Sequence, residues 1–456
     1  MKNINHLLID KSTTLHECLK YFDDVAECCL FVVDRTNRLL GSFSEGDLRR
    51  AFLKNAKPFE ECINYVNENP VYFQSGAQYS FERVLQSDVI KGDIPVVDHD
   101  MVVLGAYEPD SSSCINNSAR KMSFVSVAPT RVSFAGGGSD LADWFKSHSG
   151  VVVNMGINKY AKVYFEKTHD DHFYLLSSNL KEKLNLHYSQ VREYSGATLG
   201  LVVECLKKFD ITNTYKIEID CEFEPGSGLG GSSALVVALL KGLAYANNVA
   251  LSNHNLYKLA YQVERHNYGI KGGWQDHIAA TFGGLLETTF SANGINVTKF
   301  ALSQNEISVL ENSLYIVPIG ESRSSSEVHR EIEKGAQAQS YIDNMNKIVS
   351  LARVCKNEIT SGKIANLGLI MHQGWLLKRD LSSAISNEKL DNAYETLVQF
   401  GAEGGRLLGA GGSGYLLVFV PFNRQIRFQR ECDGKRIRYQ KVLMDHIGAR
   451  IIGDIQ

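Results

Sequence analysis

Residues 225–234 read Pro225-Gly226-Ser227-Gly228-Leu229-Gly230-Gly231-Ser232-Ser233-Ala234, with four glycines in the six positions 226–231. A strand-like run at residues 215–220 precedes this stretch, and an apolar helical pattern follows it from Ser232 to Leu243. The backbone N–H groups of such a loop, together with the N-terminus of the helix, form a binding site for an anion. Because structural turns seldom need so many glycines in so few residues, the sequence predicts a phosphate-binding loop here.

The loop alone does not decide which phosphate-containing molecule it binds. Gly226-x-Gly228-x-x-Gly231 matches the dinucleotide fingerprint of NAD-dependent oxidoreductases, which requires another strand ending in Asp or Glu about 20 residues later. Residues 244–253 contain neither a clear strand nor an acid. A Walker P-loop is not formed either, because no lysine precedes Ser232. The remaining interpretation is a phosphate loop whose hydroxyl groups at the helix start reach a Mg²⁺ ion bridging the phosphates.

Two further glycine-rich segments lie before and after this loop. Residues 128–141 (APTRVSFAGGGSDL) predict a strand that ends in three glycines and a helix that starts near Asp140. The glycines allow close backbone approach to a ligand, and the side chains of Ser139 and Asp140 can hydrogen-bond to hydroxyl groups. Taken alone, the segment also fits a tight turn before a capped helix. Residues 404–419 (GGRLLGAGGSGYLLVF) predict a flexible loop that runs into a buried strand.

The three segments, in this order, resemble the motifs of the GHMP sugar and metabolite kinases. The likeness covers nearly all of residues 122–456, and "APTRVSFAGGGSDL", "GSGLGGSSAL", "GGWQDHIAATFGG" and "GGRLLGAGGSGYLL" look most like heptose 7-phosphate kinases. Those enzymes phosphorylate the anomeric oxygen of D-glycero-D-manno-heptose 7-phosphate to the 1,7-bisphosphate, for nucleotide-activated heptose used in surface polysaccharide. The departures from the pattern are Ser139 for the usual Thr, Arg406 for a common Lys and Ser413 for the usual Gly.

The resemblance implies an α+β, two-lobed GHMP kinase fold with ATP and sugar at the junction of the lobes. An S5-like N-lobe that binds ATP is expected over residues 122–310, and a ferredoxin-like C-lobe over residues 311–456. ATP and Mg²⁺ are the implied cofactors, a small-molecule sugar phosphate is the implied partner, and a homodimer stays open. A GHMP kinase for another sugar, such as fucose or galactose, is the nearest alternative. An NAD-dependent oxidoreductase and a nucleotide-sensing protein with a degenerate kinase scaffold are more distant ones.

The resemblance also assigns roles to single residues. Asp276 is the base or orienter of the sugar hydroxyl, with Arg131 as its basic partner, and Ser232 with Glu264 coordinates Mg²⁺. The ATP phosphates are held by Pro225, Gly226, Ser227, Gly228, Leu229, Gly230, Gly231, Ser232 and Ser233. The substrate is held by Gly137, Gly138, Ser139, Asp140, Gly411 and Gly412, with Arg323 and Ser324 of an "SRSSSE" run on the distal 7-phosphate.

Physical chemistry fits these roles but leaves plainer alternatives open. An anomeric hydroxyl is more acidic than an ordinary alcohol, so a carboxylate is an adequate base. Arg131 can keep Asp276 ionised and offset charge on the moving phosphoryl group. The alternatives are a cap or surface charge for Asp276 and Glu264, a structural ion pair for Arg131, and a capped helix start for Arg323 and Ser324.

The first 108 residues form a separate region, followed by a Ser/Asn-rich linker at 109–121. A helix-strand-strand pattern occurs in it twice, which indicates an internal repeat. The segment "LFVVDRTNRLLGSFSEGDLRRA" resembles a CBS motif, so the region is expected to be a small α/β CBS-pair-like regulatory domain. In that family the positions of Ser44 and Asp47 often hold a nucleotide ribose, which implies an adenine nucleotide here. The alternative is that these two residues only cap a helix.

Composition excludes several classes of function. The chain has 456 residues and a formal charge of −3, so no global basic field attracts nucleic acid or an anionic membrane. Its longest apolar runs fall far short of a membrane span, and the first residues contain no apolar signal-peptide core. The nine cysteines include no CxxC pair, which favours a reduced, cytoplasmic protein. His266 and His277 lack matched metal-ligand spacing, and the basic run at 424–441 favours a solvated face over an RNA site.

Overall fold

The computed structural model divides the chain into two compact units, Met1–Ala119 and Arg120–Gln456. Each unit has hydrophobic clusters of its own. The structure describes residues 7–24, 29–53, 56–67, 70, 72–74, 94–107, 123–210, 213–319, 338–409, 411–412 and 414–454.

The first unit contains two small sheets of the same topology. Its strands are β1 (Leu8–Asp10), β2 (Cys29–Val33), β3 (Leu39–Ser44), β4 (Phe73–Gln74), β5 (Ile94–Val97) and β6 (Val103–Tyr107). Its helices are α1 (Leu15–Asp24) and α2 (Glu45–Leu53), with a 3₁₀ turn at Cys62–Tyr65. In each sheet a parallel pair, β1–β2 or β4–β5, is followed by an antiparallel hairpin, β2–β3 or β5–β6. The parallel edge strands β1 and β4 were not anticipated, because each is only two or three residues long.

The two hairpins pair with each other through their turns. Leu39 donates its N–H to the Met101 carbonyl at 2.9 Å, and Val103 donates to the Asn37 carbonyl at 3.0 Å. Asn37 and Met101 both have positive φ angles, 59° and 66°, so the two turns share one backbone conformation. Within the described residues, the repeat therefore folds as two sheets of the same topology that are joined at their hairpin turns.

Ser44 and Asp47 form a reciprocal cap at the start of α2. Ser44 donates from its N–H and its hydroxyl to Asp47 Oδ2, at 2.9 and 2.6 Å, and the Asp47 N–H donates back to Ser44 Oγ at 3.2 Å. Arg50 also contacts the Asp47 carboxylate. These contacts are those expected if the two residues cap the helix, and nucleotide binding by the pair stays a prediction.

The second unit is built on one long strand pair. Its strands are β7 (Ser123–Ala135), β8 (Gly150–Lys167), β9 (His172–Ser177), β10 (Glu182–His187), β11 (Tyr215–Cys221), β12 (Leu285–Ser291), β13 (Gly294–Lys299), β14 (Leu314–Ile319), β15 (Gly404–Leu407), β16 (Gly414–Phe419), β17 (Gln440–Lys441) and β18 (Arg450–Asp454). A large mixed sheet runs in the order β10-β9-β11-β8-β12-β13, and β7 joins it by pairing with both β8 and β18. A smaller antiparallel sheet has the order β15-β16-β14-β17.

Helices cover these sheets. They are α3 (Ala142–Phe145), α4 (Gly200–Leu206), α5 (Gly231–Ala246), α6 (Asn253–Tyr261), α7 (Gln275–Phe282), α8 (Gln304–Ser313), α9 (Gln339–Thr360), α10 (Leu367–Arg379), α11 (Glu388–Phe400) and α12 (Gln425–Gly434), with 3₁₀ turns at Tyr188–Gln190, Ile364–Asn366 and Phe422–Arg424. Helix α5 is apolar on most of its surface because it is buried against the large sheet. A Cβ at Gly242 of this helix would overlap the Phe165 ring, so glycine permits the close contact between α5 and β8.

The helix expected near Asp140 is present: α3 begins at Ala142 and has four residues, because Ser139 and Asp140 are held in the preceding turn. One local expectation was wrong. The start of the segment at 404–419 is a strand, β15, instead of a flexible loop. A Cβ at Gly405 would overlap the Leu417 carbonyl on β16, so glycine serves tight strand packing at this position.

Candidate active site

The phosphate loop takes a conformation that suits glycine. Gly226, Gly228 and Gly230 have φ angles of 75°, 76° and 76°, in the left-handed region that L side chains rarely adopt. A Cβ at Gly228 would overlap the Leu408 carbonyl, so the loop also packs directly on the chain that leads to β16. The loop ends at the N-terminus of α5, where backbone N–H groups have no intrahelical acceptors. This is the geometry of an anion site at a helix start.

A cavity of about 400 Å³ lies over this loop. The loop residues that line it are Pro225, Gly226, Ser227, Gly228, Gly230, Gly231 and Ser232. Leu229 and Ser233 are buried behind them, at 0% and 1% exposure, and the lining of the cavity does not include them. Seven of the nine predicted phosphate contacts therefore face the cavity, and the other two support the loop from below.

Arg131 and Asp276 form an ion pair at the loop. Arg131 Nε donates to Asp276 Oδ1 at 2.7 Å, and its Nη1 donates to the Gly228 carbonyl. Arg131 is 6% and Asp276 17% exposed in their side chains, and both line the cavity. A Cβ at Gly230 would lie 3.1 Å from Asp276 Cγ, so the carboxylate contacts the phosphate loop directly. The pair thus lies at the cavity and contacts the phosphate loop from both of its side chains.

Glu264 lies behind the loop and holds its two serines. Ser232 Oγ donates to Glu264 Oε1 at 2.5 Å, and Ser233 Oγ donates to Oε2 at 2.7 Å. His277 Nε2 is 2.6 Å from Oε2, and Arg265 Nη1 is 3.3 Å from Oε1. The glutamate is fully buried. Burial by itself would raise the pKa of Glu264, but the His277, Arg265 and Ser232 contacts lower it to about 2.

The backbone around Glu264 is unusual. Helix α6 continues as a π-helical segment, Gln262–Asn267, in which the glutamate is the third residue. Such wider turns are rare and are found mostly at functional sites. The sequence pattern predicted that Glu264 ends a helix but gave no sign of the widened turn. His277, which the sequence pattern did not favour as a metal ligand, instead contacts this carboxylate.

Asp140 organises the loop after β7. Its carboxylate accepts hydrogen bonds from Gly138 N–H at 3.1 Å and from the backbone and side-chain nitrogens of Gln275 at 3.1 and 3.2 Å. Burial, together with the nearby negative charge of Asp276, raises the pKa of Asp140. Gly137, Gly138 and Asp140 line the cavity.

Other predicted substrate residues are distributed differently. Ser139 is fully buried, and its hydroxyl donates to the Gly136 and Val151 carbonyls, so it shapes the loop and does not face the cavity. Gly411 lines the cavity, whereas the Gly412 N–H donates to the Ile385 carbonyl. Arg323 and Ser324 lie outside the described residues.

Several cavity residues were missed by sequence reasoning. An apolar group lies near the phosphate loop, as a nucleobase site would require: Leu180, Leu201, Ile219, Phe223, Leu235 and Ile270. Lys378 and Arg406 also line the cavity and are 9% and 4% exposed. Lys378 had a signal in the sequence, because it continues the buried stripe of α10 at Leu367, Met371 and Trp375 with helical spacing.

Comparison with known proteins identifies the second unit. Residues 197–284 match the GHMP kinases N terminal domain, and residues 354–431 match the GHMP kinases C terminal domain. The second unit therefore carries matches to both domains of the GHMP kinase family. The N-terminal match includes the phosphate loop, Glu264 and Asp276, and the C-terminal match includes Lys378 and Arg406.

Two curated relatives and one solved structure illustrate the relationship of this GHMP kinase to others. D-glycero-alpha-D-manno-heptose 7-phosphate kinase of Campylobacter jejuni is 27% identical over 304 residues, which is 64% of this chain and 88% of that protein. The bifunctional fucokinase/GDP-fucose pyrophosphorylase of Arabidopsis thaliana is 29% identical over 64% of this chain and 29% of that protein. The crystal structure of a D-glycero-D-manno-heptose 1-phosphate kinase from Bacteriodes thetaiotaomicron is 22% identical, with a TM-score of 0.61 over 72% of this chain and 99% of that one, and shares the fold.

As a GHMP kinase, the protein is a phosphotransferase that uses ATP as the phosphate donor. In the part of the chain that the structure describes, no helix is both long and apolar enough to span a bilayer. Within the same residues, no cluster of three or more His, Cys, Asp or Glu side chains is arranged to hold a metal ion.

Proposed function

We propose that this kinase transfers the γ-phosphoryl group of ATP to the anomeric hydroxyl of D-glycero-D-manno-heptose 7-phosphate, giving the 1,7-bisphosphate. The observation that carries phosphoryl transfer is the contact of the Arg131–Asp276 pair with the glycine loop at the cavity. The choice of acceptor is supported by the heptose 7-phosphate kinase of Campylobacter jejuni, because the match to this chain extends over 88% of that protein. The four sequence segments that resemble heptose 7-phosphate kinases support the same acceptor.

The proposed reaction is a direct transfer. The acceptor oxygen forms a bond to the γ-phosphorus, and the bond from that phosphorus to the β,γ-bridging oxygen breaks, so that ADP leaves with the electron pair. The hydroxyl proton passes to the Asp276 carboxylate. Arg131 holds and orients this carboxylate through its 2.7 Å hydrogen bond. Asp140 and the N–H groups of its turn lie at the same cavity, where they can bind sugar hydroxyls.

Mg²⁺ is proposed at Ser232. The hydroxyl of Ser232 donates its hydrogen to Glu264, which leaves the oxygen lone pairs for a cation, and Ser232 lines the cavity. Both oxygens of Glu264 accept hydrogen bonds from the two serines, so this carboxylate fits best as the group that orients Ser232. Bound Mg²⁺ would neutralise charge on the phosphates, and such ions commonly keep one or two protein ligands with several waters. Direct coordination by Glu264 would require Ser232 to turn its hydrogen away.

Asp276→Asn tests the base. The amide keeps the size of the side chain but cannot take the proton, so kcat should fall by about 10²-fold to 10⁴-fold. The dissociation constant of ATP, measured by calorimetry, should change by less than about threefold. Asp210→Asn is the matched control, because the Asp210 side chain is 95% exposed and pairs only with the exposed Arg192 in the described structure. Equal losses of turnover and ATP binding in Asp276→Asn would instead assign this residue a folding role.

A panel of acceptors tests the substrate. Heptose 7-phosphate, fucose, mannose and galactose are compared at equal concentration with ATP, and ADP release is measured. The proposal requires the highest kcat/KM for heptose 7-phosphate, whereas a preference for fucose or galactose would support the alternative sugar kinases. Arg323→Ala tests the contact with the 7-phosphate that the sequence predicts: the KM of phosphorylated sugars should rise, and the KM of unphosphorylated sugars should not. An unchanged KM would remove the 7-phosphate assignment from Arg323.

A further inference from the structure

Lys378 is a buried lysine in the cavity of the phosphate loop. It is the last buried position of α10 and is 9% exposed. Its ammonium group donates to the Gly409 carbonyl. A Cβ on Gly409 would lie 2.7 Å from Gly228 Cα, so this carbonyl belongs to the segment packed on the phosphate loop. The ammonium therefore lies close to the tip of that loop.

The charges around Lys378 leave it without a neutralising partner. Among the described residues, no carboxylate lies within salt-bridge distance of Lys378, and its hydrogen bond to Gly409 uses one of three N–H donors. Arg131 is already paired with Asp276, and the Asp140 carboxylate already accepts from three N–H groups. Arg406 adds a second buried cation, and its Nε has no acceptor within the described structure. Buried cations without partners are costly unless a ligand supplies the opposite charge.

We propose that Lys378 is a further catalytic residue of this kinase, whose ammonium group contacts the phosphoryl group during its transfer from ATP to the acceptor. Lys378 remains protonated throughout, while the acceptor proton goes to Asp276 and ADP leaves with the bond electrons. The positive charge offsets the negative charge that spreads over the equatorial oxygens as the phosphoryl group moves. Arg406, which lines the same cavity and donates to the Phe134 carbonyl at 3.1 Å, adds a second positive charge to this field.

The position of Lys378 favours the transferred group over a distal phosphate of the acceptor. Its hydrogen-bond partner Gly409 packs on Gly228, and the Gly228 carbonyl also accepts from Arg131. Lys378 and Arg131 thus share one short stretch of the phosphate loop. A cation meant for a phosphate at the far end of a heptose would be expected farther from that loop. A contact of Lys378 with a distal phosphate predicts a different result in the test, a rise in KM for phosphorylated acceptors only.

The surroundings of Lys378 give the proposal a measurable signature. Burial lowers the pKa of Lys378 to about 7, and the positive charges of Arg406 and Arg131 lower it too, whereas the carboxylate of Asp140 opposes them. Asp276 has less influence because it is paired with Arg131. A bound triphosphate brings negative charge and raises this pKa again. At pH 7 the free enzyme is then about half protonated at Lys378, so nucleotide binding should draw in about half a proton.

Calorimetry of nucleotide binding measures this proton. Adenylyl imidodiphosphate with Mg²⁺ is titrated into the full chain in buffers of different ionisation enthalpy, at pH 7 and pH 5.5. At pH 7, wild type should take up about half a proton more on nucleotide binding than Lys378→Arg, because the arginine is already charged. At pH 5.5 the two proteins should take up the same number of protons. The titration of the nucleotide itself is common to both proteins and cancels. Equal uptake by the two proteins at pH 7 would overturn the proposal.

Turnover provides the second arm. Lys378→Met should lower kcat by about 10²-fold or more, and Lys378→Arg should retain part of it. For wild type, kcat/KM for ATP should fall as the pH rises above about 7, and Lys378→Arg should lose this fall. Lys389→Met is the matched control, since Lys389 is exposed on α11, and it should behave as wild type. Thermal unfolding of each variant separates loss of fold from loss of function.

The outcomes are distinct from those that test the acceptor. A kcat of Lys378→Met within about threefold of wild type would overturn the proposal. So would a rise in KM confined to phosphorylated acceptors, which would place Lys378 on a distal phosphate. The turnover arm rests on the proposed function and uses whichever sugar in the panel is phosphorylated. The calorimetric arm needs no acceptor, so a wrong sugar assignment leaves its result unaffected.

Discussion

Replacing Glu264 with glutamine should destabilise the second unit by about 3 kcal/mol at pH 7. The contacts of Glu264 lower its pKa from the ordinary 4.5 to about 2, and each pKa unit corresponds to about 1.36 kcal/mol. Glutamine keeps the shape but loses the charge that faces His277 and Arg265. Its NH₂ group also cannot accept from one of the two serines, Ser232 or Ser233. Removal of one member of a buried charge pair is known to cost about 3 to 5 kcal/mol, which agrees with this value.

Urea unfolding followed by tryptophan fluorescence measures the loss. The three tryptophans of the chain, Trp144, Trp274 and Trp375, all lie in the second unit, so the signal reports the kinase unit alone. Glu287→Gln is the control, because Glu287 is also buried but pairs with the partly exposed Lys356 at 2.9 Å. Its loss should stay below about 1 kcal/mol.

The pH dependence has a defined sign. Because the folded pKa of Glu264 is lowered, its contribution is fully present above pH 4.5 and is lost as the pH falls towards 2. The difference between wild type and Glu264→Gln should therefore shrink from about 3 kcal/mol at pH 7 to about 2 kcal/mol at pH 3.5. A loss below about 1 kcal/mol at pH 7, or a difference that grows on acidification, would refute this account of the network.

Three further substitutions test the loop and the pair. Gly228→Ala should weaken ATP binding by about tenfold or more in calorimetry, because φ is positive at this position and a Cβ would overlap the Leu408 carbonyl. Gly434→Ala is the control and should bind ATP normally, because nothing lies within 4 Å of a Cβ at that position. Similar ATP affinities of the two variants would contradict the packing argument. Asp140→Asn should raise the KM of the sugar by about tenfold with little change in the KM of ATP. Asparagine has only one side-chain oxygen, so it cannot accept all three hydrogen bonds that the two carboxylate oxygens accept. Arg131→Lys should lower kcat by about tenfold or more in steady-state assays, because lysine lacks the fork that reaches both Asp276 and Gly228.

Much of the site was predictable because its signals are local. Four glycines in six residues before an apolar helix predict the phosphate loop without any knowledge of tertiary structure. The partnership of Arg131 and Asp276, 145 residues apart, came only from the resemblance to a family, since no local pattern joins two distant residues. The GHMP kinase fold of the second unit was predicted on the same basis and is confirmed by the two domain matches.

The errors have a common physical origin. Glycine was interpreted as flexibility in residues 404–407, whereas in β15 it permits one strand to approach another. Ser139 was interpreted as a ligand group, but its hydroxyl is used up by backbone carbonyls. Lys378 was overlooked because a charged residue on a buried helix face has meaning only when the opposite wall of the cavity is known. In each case the deciding contact is tertiary: Leu417 for Gly405, Val151 for Ser139 and Gly409 for Lys378.

The joined hairpins of the first unit make it an intramolecular dimer. Each half supplies a backbone donor and a backbone acceptor to the other through Asn37, Leu39, Met101 and Val103. Because both halves belong to one chain, their effective concentration is in the millimolar range or above, and association costs little entropy. If the halves were expressed as separate peptides, their association would depend on protein concentration, and dilution would break the hydrogen bonds between the two hairpin turns. The covalent link between the halves therefore stabilises the unit in addition to these contacts.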